Sequence, residues 1–238
     1  MPSGAATDRE ILRLAVPAFL ALVAEPAFLL ADSAIVGHLG TPELAGLGIA
    51  GALLTTVISL CIFLAYGTTA SVARRIGAGD LRGAISAGID GIWLAVAIGA
   101  PVTVVGLVAT PELVGLFGAG ADVAHQAELY FRTAVLGAVP LLVMLAATGI
   151  LRGLQDTRTP LVVAVVGNVL NVALNLLFVY GLDLGITGSA LGTLVAQVGS
   201  AAALLVVVDR AARRHGAVRR PSAAGIRSAG GRPGRPRP

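Results

Sequence analysis

The sequence predicts an all-α membrane protein with six transmembrane helices. Three observations carry that reading. Hydrophobic residues fill 56% of the 238 positions and charged residues only 13%, about half the charged share of a soluble domain. Six stretches each offer about 20 or more mostly apolar residues, the length needed to cross the hydrocarbon core. Arginine appears in alternate connectors only, as membrane topology requires of positive charge.

The spans run from about Ile11 to Gly37, Leu44 to Ala73, Ala84 to Ala109, Val123 to Leu151, Leu161 to Leu182 and Gly188 to Val208. Arg9 and Arg13 before an apolar run resemble a signal peptide. The run continues from Leu14 to Gly37, too long for a typical apolar signal core, so it is read as a retained first helix. The connectors between spans two and three and between four and five carry Arg74, Arg75, Arg82, Arg152 and Arg158. After span six come Arg210, Arg213, Arg214, Arg219 and Arg220. The other three connectors contain no Arg, so the Arg-bearing side and both termini are predicted to be cytoplasmic. The division is then residues 1–10 as a cytoplasmic N-terminus, 11–210 as the six-helix unit and 211–238 as a basic tail. That tail, rich in Arg, Pro and Gly, is predicted to be disordered because it offers little to bury.

Several function classes fall away. The 17 basic residues are all Arg, but they sit in loops and at the end, so nucleic-acid binding is not indicated. Cys61 is the single cysteine, which excludes an internal disulfide or a cysteine metal cluster. His38, His125 and His215 show no ligand spacing. No nucleophile elbow or phosphate-binding loop appears, so the chain is not read as an enzyme.

Ionisable residues within a span each require a reason. The first span holds Glu25 and Asp32, seven apart and so on one helix face. Asp32 lies about 8–9 Å of helix from the outer end, at roughly 1.5 Å per residue. Burial there disfavours the charged form, which suits a proton carrier. The alternative is a carboxyl that bonds a neighbouring helix or reaches water. Pro17 and Pro26 each remove a backbone donor and can bend this helix; static packing is the equal alternative. In span five, Asn168, Asn171 and Asn175 form a polar stripe on an otherwise apolar helix. They suit a cavity wall that binds substrate or bonds Asp32, or interhelical packing. Span six carries Gly188, Gly192, Ala196 and Ser200 at intervals of four, a ridge for close helix approach. Thr193 and Gln197 make a neighbouring polar line toward the same cavity. Arg132 in span four stands one turn after Glu128, as an ion pair or a snorkelling side chain.

Three segments resemble a known family. EILRLAVPAFL…LLADSAIVGHLG is similar to the first helix of multidrug-and-toxin-extrusion (MATE) transporters of the DinF-like branch. ILRGLQDTRTP, residues 150–160, resembles the family's segment between helices four and five. GNVLNVALNLLFVYGLDLGITGSALGT is similar to its helices five and six. The resemblance covers about residues 8–210 and implies the amino-terminal lobe of a twelve-helix, two-lobe fold. It implies secondary antiport of small cationic or amphipathic compounds out of the cell, with lipid and a small-molecule substrate as partners and no nucleic acid. It implies Asp32 as the proton-binding residue, Pro17 as the family's first-helix proline, with Pro26 as a second bending point, and Tyr130, Asn171, Asn175 and Thr193 as a polar cavity. No cofactor or metal is implied; the coupling ion is the proton, with sodium as the alternative. Relatives often carry Asp where this chain has Asn175, which places more weight on Asp32. The second lobe is not in the sequence, so the chain is expected to be a half or truncated transporter, completed by itself or by another chain. The alternatives are a lipid-linked precursor flippase of the same superfamily and a non-transporting membrane assembly protein. The expected location is the bacterial plasma membrane, multi-pass.

The arginine pattern makes a direct prediction. Reporter fusions after Thr41, Gly118 and Leu184 are expected to read as periplasmic, and a cytoplasmic reading at any of them contradicts the topology.

Overall fold

The computed structural model describes residues 30–215, all helices and short connections; Pro17, Glu25 and Pro26 lie outside it. The first helix is seen as residues 30–37 (α1). Then come α2 Thr41–Cys61, α3 Phe63–Gly77, α4 Leu81–Val108, α5 Thr110–Gly115, α6 Ala121–Ala134, α7 Ala138–Gly153, α8 Arg158–Leu176 and α9 Gly185–His215. Five continuous stretches among the described residues are long and apolar enough to cross a membrane: Thr41–Gly77, Leu81–Val108, Ala121–Gly153, Arg158–Gly181 and Gly185–Arg214. These are spans two to six of the sequence reading.

Three spans contain a local departure from the α-helix. Between α2 and α3 stands Ile62, whose φ of −60° and ψ of −22° remain helical, so the axis is distorted without turning. Between α6 and α7 the chain tightens into a 3-10 turn, Val135–Gly137. Beyond α8 it widens into a π-turn, Leu177–Gly181. Two boundaries differ from expectation. The connector after span three holds the short helix α5, started by Pro111 with Glu112 in its first turn, a favoured helix opening. The last helix continues past position 210 to His215. Ala212 is buried in the core there, and an Asp209–Arg213 ion pair at 2.8 Å, one turn apart, supports the extension.

The core forms three apolar layers. One layer joins Val72, Ile85, Ile150, Leu204 and Val208, from the helix ends next to the Arg-bearing connectors, the inner end of the bundle. The middle layer joins Leu64, Ala95, Leu142 and Ala201. The third, outer layer joins Val36, Tyr130, Phe131 and Ile186. Around them Val104, Val105, Val166 and Val169 are each about 60% exposed or more. In water this apolar surface would be an aggregation liability; in a bilayer it is the solvated face.

Glycines set how closely helices approach. An added Cβ at Gly99 would stand 2.9 Å from the Val139 backbone, and one at Gly149 would stand 2.6 Å from the Ala65 carbonyl. Both lie below any ordinary contact, so α4 and α3 rest directly on α7.

Two inner turns share one construction. In each, a residue with positive φ, Gly79 at 77° and Gln155 at 63°, ends the incoming helix. The next backbone N–H returns to a carbonyl five residues earlier, from Asp80 to Arg75 at 2.9 Å and from Asp156 to Leu151 at 2.8 Å. The same aspartate then accepts from the start of the next helix. Asp80 accepts the Gly83 N–H at 2.8 Å. Asp156 accepts from the N–H groups of Arg158 and Thr159 at 3.1 and 3.0 Å and from the Thr159 hydroxyl at 2.6 Å.

The Thr159 hydroxyl and then the Thr159 N–H hold the Asp156 carboxyl below the usual carboxylate range. A depressed folded value means that its stabilisation is complete above the unfolded value and drains away as pH falls through the folded one. Asp156→Ala is expected to cost about 1 kcal/mol at neutral pH through the lost cap. Thermal unfolding should show that deficit shrink in acid; a deficit constant down to about pH 2 would contradict the cap, since both forms would then be protonated.

Candidate functional site

The outer layer encloses a polar group among apolar helices. Asp32 lies near the end of α1, and its side chain enters the bundle with 8% of the residue exposed. Asn175 Nδ2 of α8 donates to Asp32 Oδ1 at 2.7 Å, and Ser189 Oγ of α9 donates to the same oxygen at 2.8 Å. Both of these bonds are to Oδ1 and neither is to Oδ2.

The network extends inward along the α8–α9 seam. Asn175 Nδ2 also lies 3.1 Å from Asn171 Oδ1, and Asn171 Nδ2 donates to Thr193 Oγ1 at 2.9 Å. Tyr130 of α6 is buried, its hydroxyl against Thr193 and Ser189. The structure therefore brings Asp32, Tyr130, Asn171, Asn175 and Thr193 into one cluster. All of Asp32's partners named here are neutral. The Oδ1 of Asn175 is fully buried and takes no hydrogen bond among the described residues.

The seam is close because α9 is small where α8 is polar. A Cβ at Gly192 would run into Asn175 Oδ1 and stand 3.0 Å from the Asn175 backbone nitrogen. Gly188 rests on the Phe178 backbone, and Ser200 lies against Gly167. The small-residue ridge is thus a packing surface, as its spacing indicated. It also lets Asn175 reach across to α1.

Other expectations divide. Asn168 is half-buried and joins no hydrogen bond of this cluster. Arg132 pairs with Glu128 at 3.9 Å on an exposed surface, the plain ion pair. Gln197 lies against Gly137, and with Thr193 it lines a small cavity of about 50 Å³ with Leu54, Val57, Ile58, Leu141 and Leu142. Sequence reasoning missed Ser189, although it continues the Thr193–Gln197 line by one turn. It also passed over Asp90, half-buried in the inner half of span three and outside this network.

A bundle of this kind, with a carboxyl sunk among membrane-spanning helices, is a multi-pass membrane protein. The MatE family model matches residues 17–177, well over half the chain, and the chain belongs to that family. It is 34% identical over 200 residues to Protein DETOXIFICATION 44, chloroplastic, of Arabidopsis thaliana, covering 79% of this chain and 38% of that protein. It is 28% identical to DNA damage-inducible protein F of Escherichia coli over 88% of this chain and 46% of that one. Among solved structures, an outward-facing multidrug resistance MATE family transporter of the MOP superfamily matches with a TM-score of 0.77 and 31% identity, over 84% of this chain and 45% of that one. A MOP superfamily transporter from Pyrococcus furiosus matches with a TM-score of 0.75 and 31% identity. The resemblance drawn from the motifs is borne out, and the chain spans less than half the length of these relatives.

The seam can be tested without touching the carboxyl. Gly192→Ala is expected to destabilise by about 1–3 kcal/mol, as overpacking does. Gly199→Ala, which meets open space, is expected to leave thermal unfolding unchanged. Equal melting temperatures for the two variants would count against the seam.

Proposed function

We propose that this chain is one lobe of a proton-coupled secondary efflux transporter for small cationic or amphipathic compounds, with Asp32 as the proton-binding residue. The carrying observation is the buried Asp32 carboxyl with both donors on Oδ1. A charge buried among apolar helices is costly unless it is paired and bonded, and here the pairing is by neutral donors alone. A proton arriving on Oδ2 removes that charge. It also turns the carboxyl into a donor. Protonation therefore changes which hydrogen bonds join α1 to α8 and α9.

The donor set favours a proton over sodium. A hard cation needs several oxygens turned toward it. Here Asn175 and Ser189 turn hydrogens toward Asp32, and Asn171 turns its amide toward Thr193. No cofactor enters this reading.

A second lobe completes the transporter. Ligand pockets usually enclose about 300–1,000 Å³, whereas the cavity beside Thr193 and Gln197 is about 50 Å³. Alternating access works by rocking two bundles about a shared site. On this reading the lobe lies in the bacterial plasma membrane with both of its ends cytoplasmic.

Infrared spectroscopy of the full chain tests the proton site. A carboxyl stretch is expected to titrate as the pH is scanned from alkaline to acid, and Asp32→Asn is expected to remove it while leaving expression intact. A titrating band that persists in Asp32→Asn would place the proton elsewhere.

A further inference from the structure

The π-turn after α8 has a role that the Asp32 cluster does not account for. A helix leaves its last four carbonyls without intrahelical partners. At the end of α1 the His38 N–H returns to Ala34 at 3.3 Å and the Leu39 N–H to Val36 at 3.0 Å. Neither takes the Ile35 carbonyl, which is buried. The Tyr180 hydroxyl donates to it at 2.6 Å from across the helix seam. Tyr180 thus caps the first helix from another helix.

Tyr180 is five residues after Asn175, the residue that holds Asp32. In an α-helix five residues advance about 500°, so the two side chains would diverge by roughly 140°. In the π-turn the Leu182 N–H bonds back to Leu177 at 2.9 Å, an i to i−5 step. That wider winding returns residues five apart to nearly one face, so both Asn175 and Tyr180 meet α1. The turn is also held from outside: a Cβ at Gly188 would stand 2.8 Å from the Phe178 carbonyl oxygen. A shallow outer groove lined by Ala34, Ile35, His38, Leu176 and Tyr180 borders the contact.

We propose that Tyr180 is a positioning residue for Asp32: by capping Ile35 from the π-turn, it fixes how α1 presents the carboxyl to Asn175 and Ser189 and links the outer end of that helix to the carboxyl's protonation. This rests on the reading of Asp32 as the proton site. The titratable group facing Asp32 from α6 is Tyr130, while α8 and α9 offer only Asn171, Asn175, Ser189 and Thr193. His38 stands on α1 itself, its ring 2.6 Å from the Ala34 carbonyl. Glu43 at the start of α2 and Asp183 after the π-turn are further charged groups at the same end.

The test uses the full chain in lipid nanodiscs, with spin labels on His38→Cys and Leu116→Cys in a Cys61→Ala background. Label distances and the Asp32 infrared band are followed together from alkaline to acid pH. With Tyr180 present, a narrow distance distribution in alkali is expected to broaden or shift as the band titrates. Tyr180→Phe is expected to broaden the distribution in alkali, to abolish its dependence on pH and to move the midpoint of the Asp32 band. Gly188→Ala, which presses on the π-turn from outside, is expected to give the same loss. Wild-type distances and an unmoved midpoint in Tyr180→Phe would overturn the proposal. A band that fails to titrate with Tyr180 present instead defeats the Asp32 reading, while the alkaline distances still judge the cap.

Discussion

A carboxyl inside a bilayer can be kept only where protein donors stand in for water, and that requirement organises the outer half of this bundle. Asp32 needs donors within hydrogen-bond reach, so α8 and α9 must both come against α1. They can do so only if α9 is small along the seam, which Gly188 and Gly192 supply. α8 must also present an amide, which Asn175 supplies. Tyr130 fills the remaining side from α6 with a ring and one hydroxyl. Each is a modest choice alone; together they convert an isolated charge into a satisfied cluster. The orphan oxygen of Asn175 is the exception; it faces Gly192.

The two ends of the bundle are built differently. At the inner end, Asp80 and Asp156 repeat one turn: a positive-φ residue, a return bond and a cap on the next helix. Arg75 pairs with Asp80 across 3.5 Å. These bonds are local and nearly independent of tertiary position. At the outer end the decisive bonds, Asp32 with Asn175 and Ser189 and Ile35 with Tyr180, join residues more than 140 positions apart. Local bonds survive a rearrangement of helices; long-range ones change with it. On the proposed function, the local bonds lie away from the proton and the long-range ones beside it.

The spans were legible because lipid imposes length and apolarity on each. Asp32 and the Asn171–Asn175 pair were legible because polarity inside a span is costly and therefore conspicuous. Ser189 was not, since serine is common in helix seams and its small hydroxyl carries no cost signal. Asn168 was over-read: periodicity places it on the stripe, but how far along α8 the seam extends depends on helix crossing, which a single sequence does not encode. The π-turn was hidden for a related reason. Its residues, Leu177 to Gly181, continue a plausible α-helix, and only the bond from Leu182 to Leu177 reveals the extra width. Tyr180 counted by the α-helical period falls on the wrong face.

The cavity beside Thr193 and Gln197 connects this local chemistry to the larger assembly. It lies where α2, the 3-10 turn, α7 and α9 meet. A rearrangement of Asn171 and Thr193, both tied to the Asp32 network, therefore alters the cavity wall without any contact between substrate and carboxyl. Coupling in such an arrangement is a matter of shared residues: Asn171 reports to Asn175 on one side and to Thr193 on the other. One lobe can hold both the proton site and half of the cavity wall. On the proposed function, the volume a substrate needs comes from a facing lobe, and the proton's effect is expressed as a change in how the two walls fit.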